Sequence, residues 1–257
     1  MGILEGKKIL VTGILNDASL AYATAKEIIA EGGEIIVTGF GRGMSITSRV
    51  VKRLDPTIEV LELDVANDEH FAQLAASIES THGRLDGVLH AIGFAPAACL
   101  DPSMFVAKWD DVATAVQISA YSLAPLINYL TPLLKKGSSP SVVALDFDAS
   151  QAWPGYNWMG VAKAALESLN RYMAREAGKE GIRVNLISAG PIRTIAAKSV
   201  GGFSAFEEIW ANRAPLGWTV TDPTPVAKST VALLSDFFPS TTGEIIHVDG
   251  GFHAVGA

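Results

Sequence analysis

The sequence predicts an α/β protein with one doubly wound, seven-stranded parallel sheet, and two observations support this prediction. Short, continuously apolar segments alternate with longer segments of helical periodicity, which is the pattern of a parallel sheet covered by helices on both faces. The 257 residues, of which 49% are hydrophobic, also suffice for one large core, and no repeat or linker divides them. Because crossovers between parallel strands are right-handed, we expect a single-domain Rossmann fold over residues 1–257.

Seven apolar segments are predicted as strands, at residues 8–12, 34–38, 58–63, 87–91, 141–145, 182–187 and 244–248. The clearest helices between them are predicted at 21–30, near 109–134 and near 156–177. Ligands of such sheets bind beyond the carboxyl ends of the strands. We therefore expect the functional site in the segments that follow strands one, two, four, five and six.

Composition excludes several classes of function. A net charge of −7 argues against general nucleic-acid binding. The single cysteine, Cys99, cannot form an internal disulfide and is typical of a cytoplasmic protein. No segment approaches the roughly 20 apolar residues of a membrane helix, and the N-terminus does not have the pattern of a signal peptide. The five histidines are scattered, so no metal site is predicted.

The turn after the first strand has one glycine, Gly13, where the usual dinucleotide fingerprint has three. An ordinary strand-to-helix turn would also explain a single glycine. Ser19 is nevertheless placed to cap the next helix, and Ala21 is small enough for that helix to pack closely on the strand. We expect the N-terminus of this helix to hold a pyrophosphate through its backbone N–H groups.

The segments after strands two, three and four are expected to contact the rest of a dinucleotide. After strand two, Phe40 is placed to stack on adenine, while Arg42 either lies near a 2′-phosphate or, as we favour, is a solvated loop residue. Asp64 and Val65 are placed for the adenine edge, although a plain surface carboxylate is the alternative. Gly93 allows the backbone to approach a ribose, and an ordinary tight turn explains it equally well.

The segment after the fifth strand has the most informative motif. Tyr156 and Lys163 are seven residues apart on a predicted helix, which places both side chains on one face about 10 Å apart. The lysine can then hold the ribose hydroxyls of a nicotinamide cofactor, and the tyrosine can reach a substrate carbonyl oxygen. The positive charge also favours a more acidic phenol. A surface lysine and a half-buried tyrosine are the alternative interpretation.

Taken together, these motifs resemble the short-chain dehydrogenase/reductase superfamily and, within it, the enoyl-acyl carrier protein reductases, most closely the InhA type of mycolic-acid-producing bacteria. The resemblance covers nearly the whole chain. Ketone-reducing members have a tyrosine four residues before the lysine, where this chain has Met159. The residues that carry the resemblance are Gly13, Ser19 and Ala21, and the segments 61–65, 92–94, 146–148, 156–163, 189–194 and 249–251.

The resemblance implies an enoyl-acyl carrier protein reductase (EC 1.3.1.9) of fatty-acid or mycolic-acid biosynthesis. Such an enzyme transfers a hydride to the β-carbon of a trans-2-enoyl thioester carried by acyl carrier protein or coenzyme A. NADH is the expected cofactor, with NADPH as the alternative because Gly41 replaces an acidic residue. The resemblance also implies a homotetramer. Two other interpretations stay open at this point: a ketone reductase or alcohol dehydrogenase of the same superfamily, and a cofactor-binding sensor without catalysis.

The resemblance assigns roles to individual residues. Tyr156 would stabilise the enolate oxygen, Lys163 would bind the ribose, and Phe147 would flank the substrate beside the nicotinamide, although plain core packing also explains a phenylalanine there. Further cofactor contacts are implied at Ile14, Leu15, Ser19, Leu20, Ile92, Gly190, Pro191, Ile192 and Thr194. Further substrate contacts are implied at Phe94, Met159 and Phe203, although plain core packing explains Met159 almost equally well.

The segment from 195 to 212 is predicted as a short lid over the substrate, with Gly201 and Gly202 as a hinge. It has eighteen residues, clearly fewer than the InhA type has there, so we expect a preference for shorter acyl chains. The apolar residues Ile195, Val200, Phe203, Phe206, Ile209 and Trp210 would form its inner face. Arg193, Lys198 and Arg213 are candidates for docking the anionic carrier, or are simply solvated charges.

Overall fold

A computed structural model describes residues 2–198 and 203–256, and its centre is a parallel sheet of seven strands. The strand order is β3-β2-β1-β4-β5-β6-β7. All six neighbouring pairs are parallel, which confirms the predicted doubly wound sheet. The strands are β1 Lys8–Val11, β2 Glu34–Gly39, β3 Val60–Glu62, β4 Gly87–His90, β5 Ser141–Asp146, β6 Arg183–Ala189 and β7 Ile245–Val248.

Helices cover both faces of the sheet because successive side chains of each strand point to opposite sides. The helices are α1 Leu20–Ala30, α2 Met44–Val51, α3 Asp68–Thr81, α4 Trp109–Val116, α5 Leu123–Leu134, α6 Asn157–Gly178, α7 Ile195–Lys198, α8 Phe203–Arg213 and α9 Thr224–Leu234. In β1, Leu10 packs into a core with α3, α5 and α6, whereas Ile9 and Val11 pack into a second core with α1, α2 and α9. None of them, within the described residues, combines the length and apolarity needed to cross a membrane.

The continuous helix predicted near 109–134 is interrupted. A π-helical turn at Gln117–Tyr121 separates α4 from α5. Two buried serines lie at this break, and each is hydrogen-bonded to a residue outside the helical region. Ser119 bonds both the amide and the carbonyl of Phe94, and Ser122 bonds the ring of His90. The irregular turn therefore ties this helical region to the loop after β4, at the edge of the sheet where ligands bind.

Candidate active site

A cavity of about 510 Å³ opens at the carboxyl edge of the sheet, between the segments that follow β1, β4, β5 and β6. This is the place where a doubly wound sheet is expected to bind its ligand. Sixteen of the predicted site residues line it: Gly13, Leu15, Ser19, Leu20, Ile92, Gly93, Phe94, Phe147, Tyr156, Met159, Lys163, Gly190, Pro191, Ile192, Thr194 and Phe203.

Four predicted cofactor residues lie outside the cavity lining. The side chain of Ile14 is buried in the core. Phe40 is exposed beyond the end of β2. The carboxylate of Asp64 accepts a hydrogen bond from the nearby backbone, and Val65 packs into the core. Contacts from these four residues to a bound cofactor stay predictions.

The N-terminus of α1 faces the cavity, with Ser19 as its N-cap. The Ser19 hydroxyl accepts a hydrogen bond from the backbone N–H of Tyr22 at 3.2 Å, as predicted. Gly13 has a φ of +80°, and a Cβ atom there would collide with the carbonyl oxygen of Ala91. Glycine therefore permits the close approach of the loops after β1 and β4 that brings the helix terminus to the cavity.

Tyr156 is the residue at the N-cap of α6, so it precedes the helix on which it was predicted to lie. Its ring packs edge-to-face on Phe147, with 5.1 Å between the ring centroids. Burial, and secondarily the nearby Asp146 carboxylate, raise the pKa of the phenol above its ordinary value. The prediction of a more acidic phenol is therefore wrong, and Tyr156 is a neutral hydrogen-bond donor throughout the physiological pH range.

Lys163 lies on α6, seven residues after Tyr156, and is buried, with an exposure of 6%. Its Nζ donates a hydrogen bond to the carbonyl oxygen of Leu145 at 2.8 Å. Burial lowers the pKa of the ammonium, and the carboxylate of Asp146 opposes that effect. Because an ammonium has three donors and Leu145 is its one acceptor among the described residues, two donors remain for a ligand in the cavity.

Two buried titratable groups beside this lysine were not predicted as site residues. Asp146 ends β5 and lines the cavity, although the sequence indicated it only as part of a motif. His90 ends β4 and is fully buried, with Nε2 2.8 Å from the hydroxyl of Ser122. Burial, together with the charge of Lys163, lowers the pKa of His90 to about 3. An apolar strand that ends in a single polar residue was the available signal in both cases.

An aromatic cluster closes the other end of the cavity. It consists of Phe147, Trp153, Phe206, Trp210 and Phe252, whose ring centroids lie 3.9 to 6.2 Å from their neighbours. Phe206 and Trp210 belong to α8 and are 3% and 2% exposed, so they attach this helix firmly to the body of the protein. The lid segment is thus helical at α7 and α8.

The remaining lid predictions have mixed outcomes. Val200 and the hinge at Gly201 and Gly202 lie outside the described residues, as does the side chain of Lys198. Arg193 forms a bidentate pair with Glu207. Arg213 lies over the Phe252 ring, 4.8 Å from its centroid, and donates to the carbonyl oxygen of Val255. Both arginines are therefore already engaged within the chain, which weakens their candidacy for docking a carrier.

The cavity fits a nicotinamide dinucleotide on two counts. The N-terminus of α1 offers backbone N–H groups to a pyrophosphate. Lys163 has donors to spare for ribose hydroxyls. The buried carboxylate of Asp146 lies at the same cavity, and neither of its oxygens has a hydrogen-bond partner of regular geometry among the described residues. No group of three or more metal-ligating side chains suited to a metal ion occurs in the same described part of the chain.

Comparison with known proteins gives matches over nearly the whole chain. A family model described as enoyl-(acyl carrier protein) reductase matches residues 13–253. The chain is 47% identical to the enoyl-[acyl-carrier-protein] reductases [NADH] of Mycolicibacterium smegmatis and Mycobacterium avium, with 97% of each chain covered in both cases. It is 37% identical to the enoyl-[acyl-carrier-protein] reductase [NADH] FabI of Aquifex aeolicus, over 100% of this chain and 94% of that relative. The predicted resemblance is confirmed.

Proposed function

This chain belongs to the enoyl-(acyl carrier protein) reductase family, and we propose on that premise that it reduces trans-2-enoyl thioesters to saturated acyl thioesters with NADH, in fatty-acid biosynthesis. The observation that carries the proposal is the cavity itself. One continuous space is lined by the N-terminal turn of α1, by the buried Lys163 and by Tyr156. Met159 occupies the position of the ketoreductase tyrosine, which argues against ketone reduction.

Tyr156 stabilises the charge that develops on the substrate. When bound, NADH supplies the hydride that adds to the β-carbon of the enoyl thioester. Negative charge then appears on the thioester oxygen, and the neutral phenol donates a hydrogen bond to that oxygen. The raised pKa of the phenol supports this role because the proton stays on Tyr156 at neutral pH. A proton from water then adds to the α-carbon and completes the saturated product.

Lys163 and the apolar walls position the reactants. Lys163 donates to the nicotinamide ribose with the two N–H groups that Leu145 does not occupy. Phe147 flanks the substrate, and its packing on the Tyr156 ring fixes the direction of the phenol. Met159 and Phe94 form further apolar walls that exclude water from the substrate.

The remaining cofactor contacts follow the cavity. Ser19 and Leu20 present the α1 terminus to the pyrophosphate, and Gly93 lies against a ribose. The nicotinamide amide and the pyrophosphate would be held by the segment after β6, through Gly190, Pro191, Ile192 and Thr194. The loops around them are completed by Gly13, Leu15 and Ile92, with Ile14 buried behind them. Phe40, Asp64 and Val65 receive the adenosine end. Comparing kcat/KM for NADH and NADPH tests the cofactor, and a strong preference for NADPH would contradict the proposal.

The short lid favours short acyl chains. The proposal is supported by the packing of Phe206, whose ring contacts both Phe147 and Trp153 and lines the cavity. An acyl chain that extends in this direction meets a packed aromatic surface instead of an open channel. Rates measured across enoyl thioesters of increasing length test this, whether the carrier is acyl carrier protein or coenzyme A. A rate optimum at very long chains would contradict it.

We extend the proposal to assembly and location. A homotetramer is supported by exposed aromatic side chains on and beside α5 and α6. Tyr121 and Tyr129 line a groove between these helices, and Tyr172 is exposed on α6. Light scattering during gel filtration tests the assembly, and a monomer at micromolar concentration would contradict it. The single cysteine supports a cytoplasmic location.

The decisive experiment compares substrates side by side. Purified protein is expected to oxidise NADH with a 2-enoyl thioester and not with the matching 3-ketoacyl thioester. Turnover of the ketone alone would indicate a ketone reductase. Binding of NADH without turnover of either compound would indicate a cofactor sensor.

A further inference from the structure

The buried carboxylate of Asp146 has no evident structural task. It is 5% exposed, and neither oxygen has a hydrogen-bond partner of regular geometry among the described residues. Asp148, two residues later, is different because its Oδ1 accepts a hydrogen bond from the backbone N–H of Ser150 at 2.9 Å and so stabilises the loop. A buried carboxylate without partners is costly, and such groups are usually retained for a reason other than stability.

Asp146 lies at the cavity in the same region as the ammonium of Lys163, although the two groups are not hydrogen-bonded to each other among the described residues. Asp146 follows Leu145, whose carbonyl oxygen accepts the hydrogen bond of Lys163, and both Asp146 and Lys163 line the cavity. Without a counter-charge, burial would drive the ammonium of Lys163 to its neutral form, because a desolvated amine loses its proton more readily. A neutral amine would donate fewer hydrogen bonds to a ribose.

We propose that Asp146 is a positioning residue whose carboxylate keeps Lys163 in its charged, donating form at the cofactor end of the cavity. The proposal rests on the role of Lys163 in NADH binding given above. Asp146 need not touch the substrate or the reacting atoms for this task.

Several other groups of the described residues act on this pair. Burial is the largest influence on Asp146 and raises its pKa, and Lys163 lowers it. Glu167 and Asp148 raise it further, the backbone N–H of Phe147 lowers it, and the net result is a pKa of about 7. Lys163 in turn faces His90, whose pKa is lowered to about 3, so that histidine is uncharged near neutral pH. Tyr156 is the remaining titratable neighbour, with a raised pKa. Asp146 is thus the one group in this set that raises the pKa of Lys163.

The test is the pH dependence of NADH binding, measured by quenching of tryptophan fluorescence from about pH 6 to about pH 10. A Tyr156→Phe background removes the phenol as a source of titration. In that background, Asp146→Asn is expected to shift the alkaline loss of NADH affinity downward by about one pH unit or more, which weakens binding about tenfold at the alkaline end. Asp148→Asn removes a neighbouring buried carboxylate that does not line the cavity, and it is the matched control.

A rescue variant separates charge from structure. Adding Lys163→Arg to Asp146→Asn is expected to abolish the alkaline loss of NADH affinity, since a guanidinium stays protonated when its partner is removed. The proposal is overturned if Asp146→Asn leaves the binding profile where it was, or if Asp148→Asn shifts it equally. If the unaltered protein does not bind NADH at all, the proposed function fails and not merely the role of Asp146.

A second measurement does not depend on a folded Asp146 variant. Carbon-13 NMR of the lysine side chains in the unaltered protein gives the titration of Lys163, which Lys163→Arg assigns. An ammonium that persists to about pH 9 supports the proposal. A lysine that is already neutral at about pH 7 overturns it.

Discussion

Replacing Tyr156 by phenylalanine removes one hydroxyl and little else. The ring would keep its edge-to-face packing on Phe147 at 5.1 Å. The lost interaction is a hydrogen bond to an oxygen that becomes negatively charged, and such a bond contributes about 1.5–3 kcal/mol. Since each 1.36 kcal/mol is tenfold in rate, we expect kcat with a 2-enoyl thioester to fall about 10- to 150-fold.

The assay for this prediction is steady-state NADH oxidation, combined with NADH binding and thermal denaturation. Binding and stability are expected to stay close to those of the unaltered protein, because the hydroxyl contributes to neither. Tyr172→Phe is the matched control: this tyrosine lies on α6, the helix that Tyr156 precedes, is 58% exposed and should have no effect on kcat. A kcat for Tyr156→Phe within threefold of the unaltered protein would refute the reasoning.

Two further predictions concern stability. The pKa of His90 is lowered from 6.5 to about 3. Between these two values the unfolded chain binds a proton at this histidine and the folded chain does not. The free energy of unfolding therefore falls as the pH falls through this range, by up to about 1.4 kcal/mol per pH unit. His90→Gln should remove this part of the acid slope in urea denaturation curves, and an unchanged slope would contradict the assignment. Gly13→Ala should lower the free energy of unfolding by more than about 2 kcal/mol, because a positive φ is combined with a collision against Ala91. Gly83→Ala should lower it by only about 1 kcal/mol, because Gly83 has a φ of +72° but no atom within 4 Å of the added Cβ. Equal costs for the two alanine variants would show that the collision has no effect.

The sequence predicted the sheet well because its signal is local. Each strand is a short apolar run, and the predicted and observed bounds differ by at most two residues at either end. The cavity lining was likewise predictable, because the carboxyl ends of parallel strands meet at one edge of the sheet. The interruption at Gln117–Tyr121 was not predictable, since the serines at its centre and end, Ser119 and Ser122, are hydrogen-bonded to residues distant in the sequence.

The aromatic cluster and the charges of the site were beyond prediction for the same reason. Trp153, Phe206 and Phe252 come from three separate segments and meet only in the folded chain. The direction of the phenol pKa was predicted wrongly because spacing along a helix places Lys163 near Tyr156 but does not reveal burial. In the structure, burial is the largest cause of the raised pKa of the phenol, and the charge that acts on it is the carboxylate of Asp146.

The position of the tyrosine relative to the lysine follows from the proposed chemistry. In ketone reduction, the carbon that receives the hydride also bears the oxygen that becomes charged. In enoyl reduction, the oxygen is two bonds further from the carbon that receives the hydride. If the lysine holds the ribose in both kinds of enzyme, the hydrogen-bond donor of an enoyl reductase must lie further from the cofactor than a ketoreductase tyrosine does. Tyr156 meets this requirement: it precedes α6, almost two helical turns from Lys163, and Met159 fills the nearer position with an apolar wall.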